Sequence, residues 1–259
     1  MNDPVLLIDA SDPQISVLTL NRPAKRNALS LELIEHITAG VLAAQSDLNR
    51  RVIVLRANGP AFCAGLDLKE ASTPGNAHRS AEALAKMYEA VGSSPLVTIA
   101  AVQGAAMGGG AGLLAACDLV VAADDLRLSY PEVKRGLIAA LVTCLLRRQL
   151  SDRRARELIL LGQTIDAARA LELGLVSRVV VAAALNDEAM SLAREACGGA
   201  PGAIARTKRL LDELSARPLV DDLRIALGHH LAARESSEAA EGMAAFMEKR
   251  APKWKPREA

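Results

Sequence analysis

Two bare-backbone stretches and one lone acid carry the residue types that could do chemistry. GAAMGGGAGLLAACD (104–118) sets three consecutive glycines ahead of an apolar run, and GPAFCAGLDLKE (59–70) puts small residues and a glycine directly after the apolar run 51–57. Glycine costs stability inside regular structure, so a triplet here implies that something approaches the main chain closely. The candidates are a phosphate, a developing oxyanion or another piece of the protein. For the triplet alone, glycines that let a helix pack tightly on a sheet are a sufficient explanation.

The phosphate options fit poorly. GxxxxGK[ST] is absent and no lysine follows the triplet. Gly108, Gly110 and Asp118 can be set against a dinucleotide fingerprint, but the spacing is GGGAG, not GxGxxG, and the motif does not open the first strand-to-helix unit. Two bare corners after two parallel strands can instead aim two main-chain N–H groups at one oxygen, which is an oxyanion hole.

The elements that must position these corners alternate. ISVLTL (15–20) and RVIVLRA (51–57) read as short buried strands, and SLELIEHITAGVLAAQ (30–45) between them has helical spacing of Leu31, Ile34, Ile37 and Leu42. SAEALAKMYEAVGS (80–93) reads as a helix before the strand LVTIAAVQG (96–104), and DLVVAADDLRLS (118–129) as two further short strands. This order predicts an α/β fold with a mostly parallel sheet and helices outside it. Beyond about residue 140 only SRVVV reads as strand, and the rest is successive helices. STPGNAH (72–78) is the expected mobile loop.

Composition narrows the partner. The 259 residues are 51% hydrophobic and 24% charged, with a formal net charge of +1 and only 2% aromatics. A nearly neutral chain gives no electrostatic case for nucleic acid or an anionic membrane, and few aromatics leave few base-stacking platforms. A small molecule is the expected partner. Cys63, Cys117, Cys144 and Cys197 form no CxxC pair, so buried free thiols are expected and no zinc or redox site is indicated. The start, MNDPVLLIDASDP, lacks the basic patch and long apolar stretch of a secretory signal, so a cytoplasmic protein is expected.

In sequence the chain resembles the crotonase family, the enoyl-CoA hydratase/isomerase superfamily. The likeness runs through LTLNRPAKRNALS (18–30), AFCAGLDLKE (61–70), VQGAAMGGGAGLLAACDLVVA (102–122), SYPEVKRGLI (129–138), ARALELGLVSRVV (168–180) and FMEKRAPKW (246–254). The resemblance implies a spiral of strand-strand-helix turns, with residues 1–195 as a core holding the acyl-CoA site. Residues 196–259 would be a helical region packing on the core and on neighbouring subunits of a homotrimer or hexamer. It further implies a coenzyme A thioester substrate and no permanently bound cofactor. The oxyanion donors would be the backbone N–H groups of Leu66 and Gly109.

The family's hydratases resemble one another in carrying two glutamates. Here the first position is Gly112, and the second is present as Glu132 in SYPEVK. A single carboxylate can take a proton from one carbon and return it to another, as a 3-enoyl to 2-enoyl shift requires. Set among Leu137, Ile138 and other apolar groups, it should have a raised pKa. Hydration with Glu132 alone stays open. Ala140 stands where relatives with dienoyl isomerase, hydrolase or dehalogenase activity place an aspartate. Read from the residues alone, a solvated glutamate after a strand is the favoured explanation of Glu132, and only the motif reverses it.

Carried over by motif, Lys25, Arg26, Ala28, Ala64, Asp67 and Lys249 would bind the coenzyme A portion. For each cation, a plain surface charge is the competing explanation. His229 and His230 diverge by about 100° on a helix, His36 and His78 stand alone, and no metal is expected. A crotonase homologue that binds acyl-CoA without turnover is the alternative, motivated by Gly112 and the run IAALVT (138–143).

Overall fold

The computed structural model describes residues 3–73, 75–215 and 217–254. Strand β1 (Leu6–Asp9) pairs with β2 (Ile15–Leu20), and helix α1 (Leu31–Ser46) leads to β3 (Val52–Ala57). Short α2 (Leu68–Ala71) and long α3 (Asn76–Gly92) precede β4 (Val97–Val102), β5 (Ala105–Met107) and α4 (Gly109–Ala115). Next come β6 (Leu119–Ala123), β7 (Arg127–Ser129), a 3-10 turn over Glu132–Arg135, α5 (Ala140–Gln149) and α6 (Asp152–Leu161). Strand β8 (Thr164–Asp166), α7 (Ala167–Leu173), β9 (Arg178–Val180) and α8 (Leu185–Cys197) follow, then α9 (Pro201–Glu213), α10 (Leu219–Arg234) and α11 (Ser237–Met247).

The strands form two sheets. The larger runs β1-β2-β3-β4-β6-β9, parallel throughout except for β1, which is antiparallel to β2. Burial of every residue of β2 fits a strand covered on both faces, as parallel sheets require. The smaller sheet runs β5-β7-β8 and is prolonged by isolated parallel bridges between Cys63 and Ala106 and between Leu29 and Leu66. Each early turn of the chain thus gives one strand to the large sheet and a short rung to the small one. That is the expected spiral of strand-strand-helix turns.

Helix α1 forms because Ser30 caps it, its side chain accepting from the Leu33 N–H at 3.3 Å, and because Leu33, Ile34, Ile37, Val41 and Ala44 bury one face. Leu42, expected on that face, is 49% exposed. The main core lies between the large sheet and the helices α1, α3, α4, α5 and α10. A smaller core on the other face packs Leu185, Ala189, Leu192 and Ala193 of α8 on β2, β3, β4 and β6.

Strands β1, β5 and β8 lie outside the expected strands. The loop expected over 72–78 is shorter, because α3 begins at Asn76; residue 74 lies outside the described residues. Among the described residues no helix is long and apolar enough to cross a membrane.

Helices α10 and α11 close over the site. Helix α10 packs on α3 and α5, while α11 packs on the 3-10 turn that carries Glu132. That last contact is backbone against backbone: a Cβ on Gly242 would lie 2.1 Å from the Arg135 carbonyl oxygen, and one on Gly136 2.2 Å from that of Glu238.

Candidate active site

The first corner is shaped by pairing on both sides of Leu66. Leu29 N–H donates to the Gly65 carbonyl at 2.8 Å, and Asp67 N–H donates to the Leu29 carbonyl at 2.9 Å. In a parallel rung the intervening N–H faces the other way, and Leu66 N–H finds no backbone acceptor among the described residues. Gly65 takes φ +94, and a Cβ there would lie 2.8 Å from the Met107 carbonyl oxygen, so only glycine brings the two corners together.

The second corner is the glycine triplet. Gly108 has φ +49 and donates its N–H to the Ser129 carbonyl at 2.8 Å. Gly109 is the first residue of α4, so its own N–H has no partner within the helix. A Cβ built on Gly65 would lie 3.6 Å from the Gly109 nitrogen, and one on Gly109 would lie 3.6 Å from the Leu66 nitrogen. The two free donors are neighbours. Gly110 packs on Cys63, with its Cβ position 2.5 Å from the Cys63 carbonyl oxygen.

Both corners open on a cavity of about 310 Å³ lined by Ala28, Ala64, Asp67 and Glu132, with Leu137, Ile138, Leu141 and Val142 as apolar wall. Oε1 of Glu132 lies 2.8 Å from where a Cβ on Gly108 would sit. Among the described residues Oε2 is buried with no hydrogen-bond partner. Burial raises the Glu132 pKa above its ordinary value, partly offset by its own backbone hydrogen bond and by Arg135. The expectation of a raised value holds, and its cause is desolvation.

Position 112 is filled from outside. A Cβ on Gly112 would lie 2.3 Å from the Tyr88 hydroxyl oxygen and 2.9 Å from Cγ2 of Val142. Tyr88 is fully buried and donates its O–H to the Gly109 carbonyl at 2.7 Å.

Of the residues proposed for coenzyme A, Ala28, Ala64 and Asp67 line the cavity; Asp67 also pairs with Arg22 at 3.3 Å. Lys25, Arg26 and Lys249 are exposed and lie outside its lining. Several residues that sequence reasoning missed do line it: Lys69, Arg135, His230, Arg234, Phe246 and Met247. Arg135 stacks over the Phe246 ring, 4.5 Å from its centroid. Among the described residues the buried Nε2 of His230 has no partner, and burial holds its imidazole down at about 4. Cys63 is buried and its thiol is pushed up to about 12, so it stays a neutral packing group. Asn27 is also a positioning residue: it donates to the Asn58 and Ala61 carbonyls at 2.9 and 2.8 Å, fastening the 22–29 segment to the 58–61 corner.

Residues 11–257 match the family model described as enoyl-CoA hydratase/isomerase. The chain belongs to this family, within the crotonase superfamily. A relative from Thermus thermophilus is 37% identical over 254 residues, covering 96% of this chain and 100% of its own length. An enoyl-CoA isomerase/hydratase from Mycosarcoma maydis is 33% identical over 247 residues, covering 91% of this chain and 90% of its own. The crystal structure of an enoyl-CoA hydratase from Mycobacterium avium superposes with a TM-score of 0.85 at 32% identity, covering 98% of this chain and 100% of that one. This crotonase therefore keeps the family's fold along the whole described chain, while position 112 lacks the carboxylate of the two-glutamate pattern.

Proposed function

We propose that this crotonase moves the double bond of an enoyl-CoA thioester from the 3 to the 2 position, with Glu132 as its one acid–base group. The observation that carries this reading is a lone buried carboxylate facing the same apolar cavity as two unpaired main-chain N–H groups.

The thioester oxygen would accept from the N–H groups of Leu66 and Gly109. Ionised Glu132 takes the C2 proton of a 3-enoyl-CoA, and the electron pair moves through C1 onto the thioester oxygen as a dienolate. The two donors stabilise that charge as it forms; losing one such donor typically costs about 2.7–4 kcal/mol at the transition state. Protonated Glu132 returns its proton to C4, the electrons collapse back, and the 2-enoyl-CoA leaves with no net loss of atoms. Burial supports this role, since a carboxylate with a raised pKa is closer to the range useful for proton transfer.

In this reading Ala28, Ala64 and Asp67 border the pantetheine and adenine path. The exposed cations Lys25, Arg26 and Lys249 meet the phosphates, and no cofactor is held permanently. Leu210 and Leu211 on α9 and Leu214 just after it are exposed, which supports assembly into a homotrimer or hexamer.

Hydration of a 2-enoyl-CoA is the second reading. It is favoured by the unpartnered Oε2 of Glu132, which can accept from a water. Incubation with 2-enoyl- and 3-enoyl-CoA thioesters followed by mass spectrometry separates the two. Isomerisation leaves the mass unchanged and hydration adds one water. Binding of acyl-CoA with neither product would make the chain a non-catalytic acyl-CoA-binding homologue.

A further inference from the structure

The glycine triplet presents a physical problem that the fold solves with a residue outside the cavity. Three glycines in a row have large conformational freedom to lose, and the Gly109 N–H can act as an oxyanion donor only if its peptide is held at a fixed angle. Gly108 is held by its bond to the Ser129 carbonyl, and Gly110 is wedged on Cys63. The donor N–H of Gly109 belongs to the 108–109 peptide; the next peptide, 109–110, is held by Tyr88, whose hydroxyl reaches from α3 to the Gly109 carbonyl at 2.7 Å and so anchors Gly109 from its far side. The same hydroxyl occupies the volume of any side chain at position 112, since a Cβ there would lie 2.3 Å from its oxygen and 2.7 Å from the ring carbon Cζ.

We propose that Tyr88 is the positioning residue of this site: it replaces a side chain at position 112, keeps a second carboxylate out and, by anchoring the Gly109 carbonyl, holds in place the residue whose N–H is the donor. Tyr88 is fully buried and absent from the cavity lining, so it acts through Gly109 and not on the substrate. Burial keeps the phenol neutral, so its hydroxyl donates a hydrogen bond to the Gly109 carbonyl and takes no part in proton transfer. Glycine at 112 and tyrosine at 88 are then one feature written at two places in the chain. The kinetic part of this inference rests on the one-carboxylate reading above; the spatial part does not.

Two measurements test it. The first is a thermal double-mutant cycle with Gly112→Ala, Tyr88→Leu and the pair. The inference expects Gly112→Ala alone to lower Tm clearly and the pair to be more stable than the sum of the single effects, because leucine vacates the space the new methyl needs. Additive effects would overturn the shared volume, whatever the enzyme's substrate. The second is Tyr88→Phe, which keeps the ring and removes only the hydrogen bond to Gly109. On the enoyl-CoA turned over by the wild type, kcat should fall about 3- to 10-fold while KM stays within about twofold, as for the loss of a neutral hydrogen bond felt mainly in the transition state. An unchanged kcat would overturn the positioning role. If the wild type turns over no enoyl-CoA, the proposed activity fails, and the thermal cycle still decides whether Tyr88 stands in for a side chain at 112.

Discussion

Oε1 of Glu132 lies 2.8 Å from the position a Cβ would take on Gly108, so the candidate base leans directly on the first glycine of the triplet. Gly108 is doubly constrained. It has φ +49 and ψ −116, a region essentially closed to other residues, and its missing side chain is the space that Glu132 uses. Gly108→Ala should therefore destabilise the protein by about 1–3 kcal/mol from the backbone alone. It should also lower kcat more steeply than it raises KM, because it displaces the carboxylate. Thermal unfolding and steady-state kinetics on the same variant check both.

The environment of Glu132 trades stability for chemistry. Its folded pKa is raised above 4.5 by burial, so the folded state holds the proton more tightly than the unfolded chain does. The associated stability is present at low pH and is lost as pH rises through the raised value. Glu132→Gln should then unfold at a higher temperature than the wild type at pH 8, with the gap closing towards pH 4.5. The wild-type kcat/KM should fall on acidification with an apparent pKa above the ordinary carboxylate range, because the base must be ionised.

His230 has the opposite sign. Burial, reinforced by Arg234, depresses it from 6.5 to about 4, so the fold is stabilised by a neutral imidazole above the ordinary value and loses that contribution as pH falls towards about 4. Replacing it with glutamine should shrink the drop in Tm between pH 7 and pH 4.5. An unchanged drop would show that His230 titrates as it does in the unfolded chain.

The seat of the 3-10 turn is a further point of attack. A Cβ on Gly242 would lie 2.1 Å from the Arg135 carbonyl oxygen, and backbone cannot rotate away as a side chain would. Gly242→Ala should cost about 1–3 kcal/mol, the usual range for overpacking. It should also reduce turnover by shifting the segment that carries Glu132, although α11 supplies no reacting group. Calorimetry and kcat read the two effects separately.

The parts of the fold that were legible in the sequence are those where one face is uniformly apolar. The buried runs of β2, β3 and β4 and the stripe Ile34, Ile37 of α1 announce themselves by period alone. Strand β1 buries only Leu6, and β8 buries none of its three residues fully, so neither leaves a pattern to read. At the site, Leu66, Gly109 and Glu132 were legible because each sits in a contiguous motif, and the structure brings all three to one cavity. Tyr88, His230, Arg234 and Phe246 were not. Tyr88 looks like one more buried residue of an amphipathic helix, and its meaning lies in Gly112, which is distant in sequence. The others arrive on α10 and α11, whose place over the site depends on helix packing that no local pattern encodes.

The account stands or falls on Glu132 as the single base. The most direct measurement is deuterium incorporation at C2 and C4 of an enoyl-CoA in D₂O, followed by mass spectrometry and NMR for the wild type and for Glu132→Gln. The account predicts double-bond migration with the wild type, with deuterium at C4 only to the extent that Glu132 exchanges with solvent before returning its proton, and loss of both migration and exchange by at least about 10³-fold in the variant, while acyl-CoA binding is retained. Exchange that persists in Glu132→Gln would contradict it, because another group would then be moving the proton.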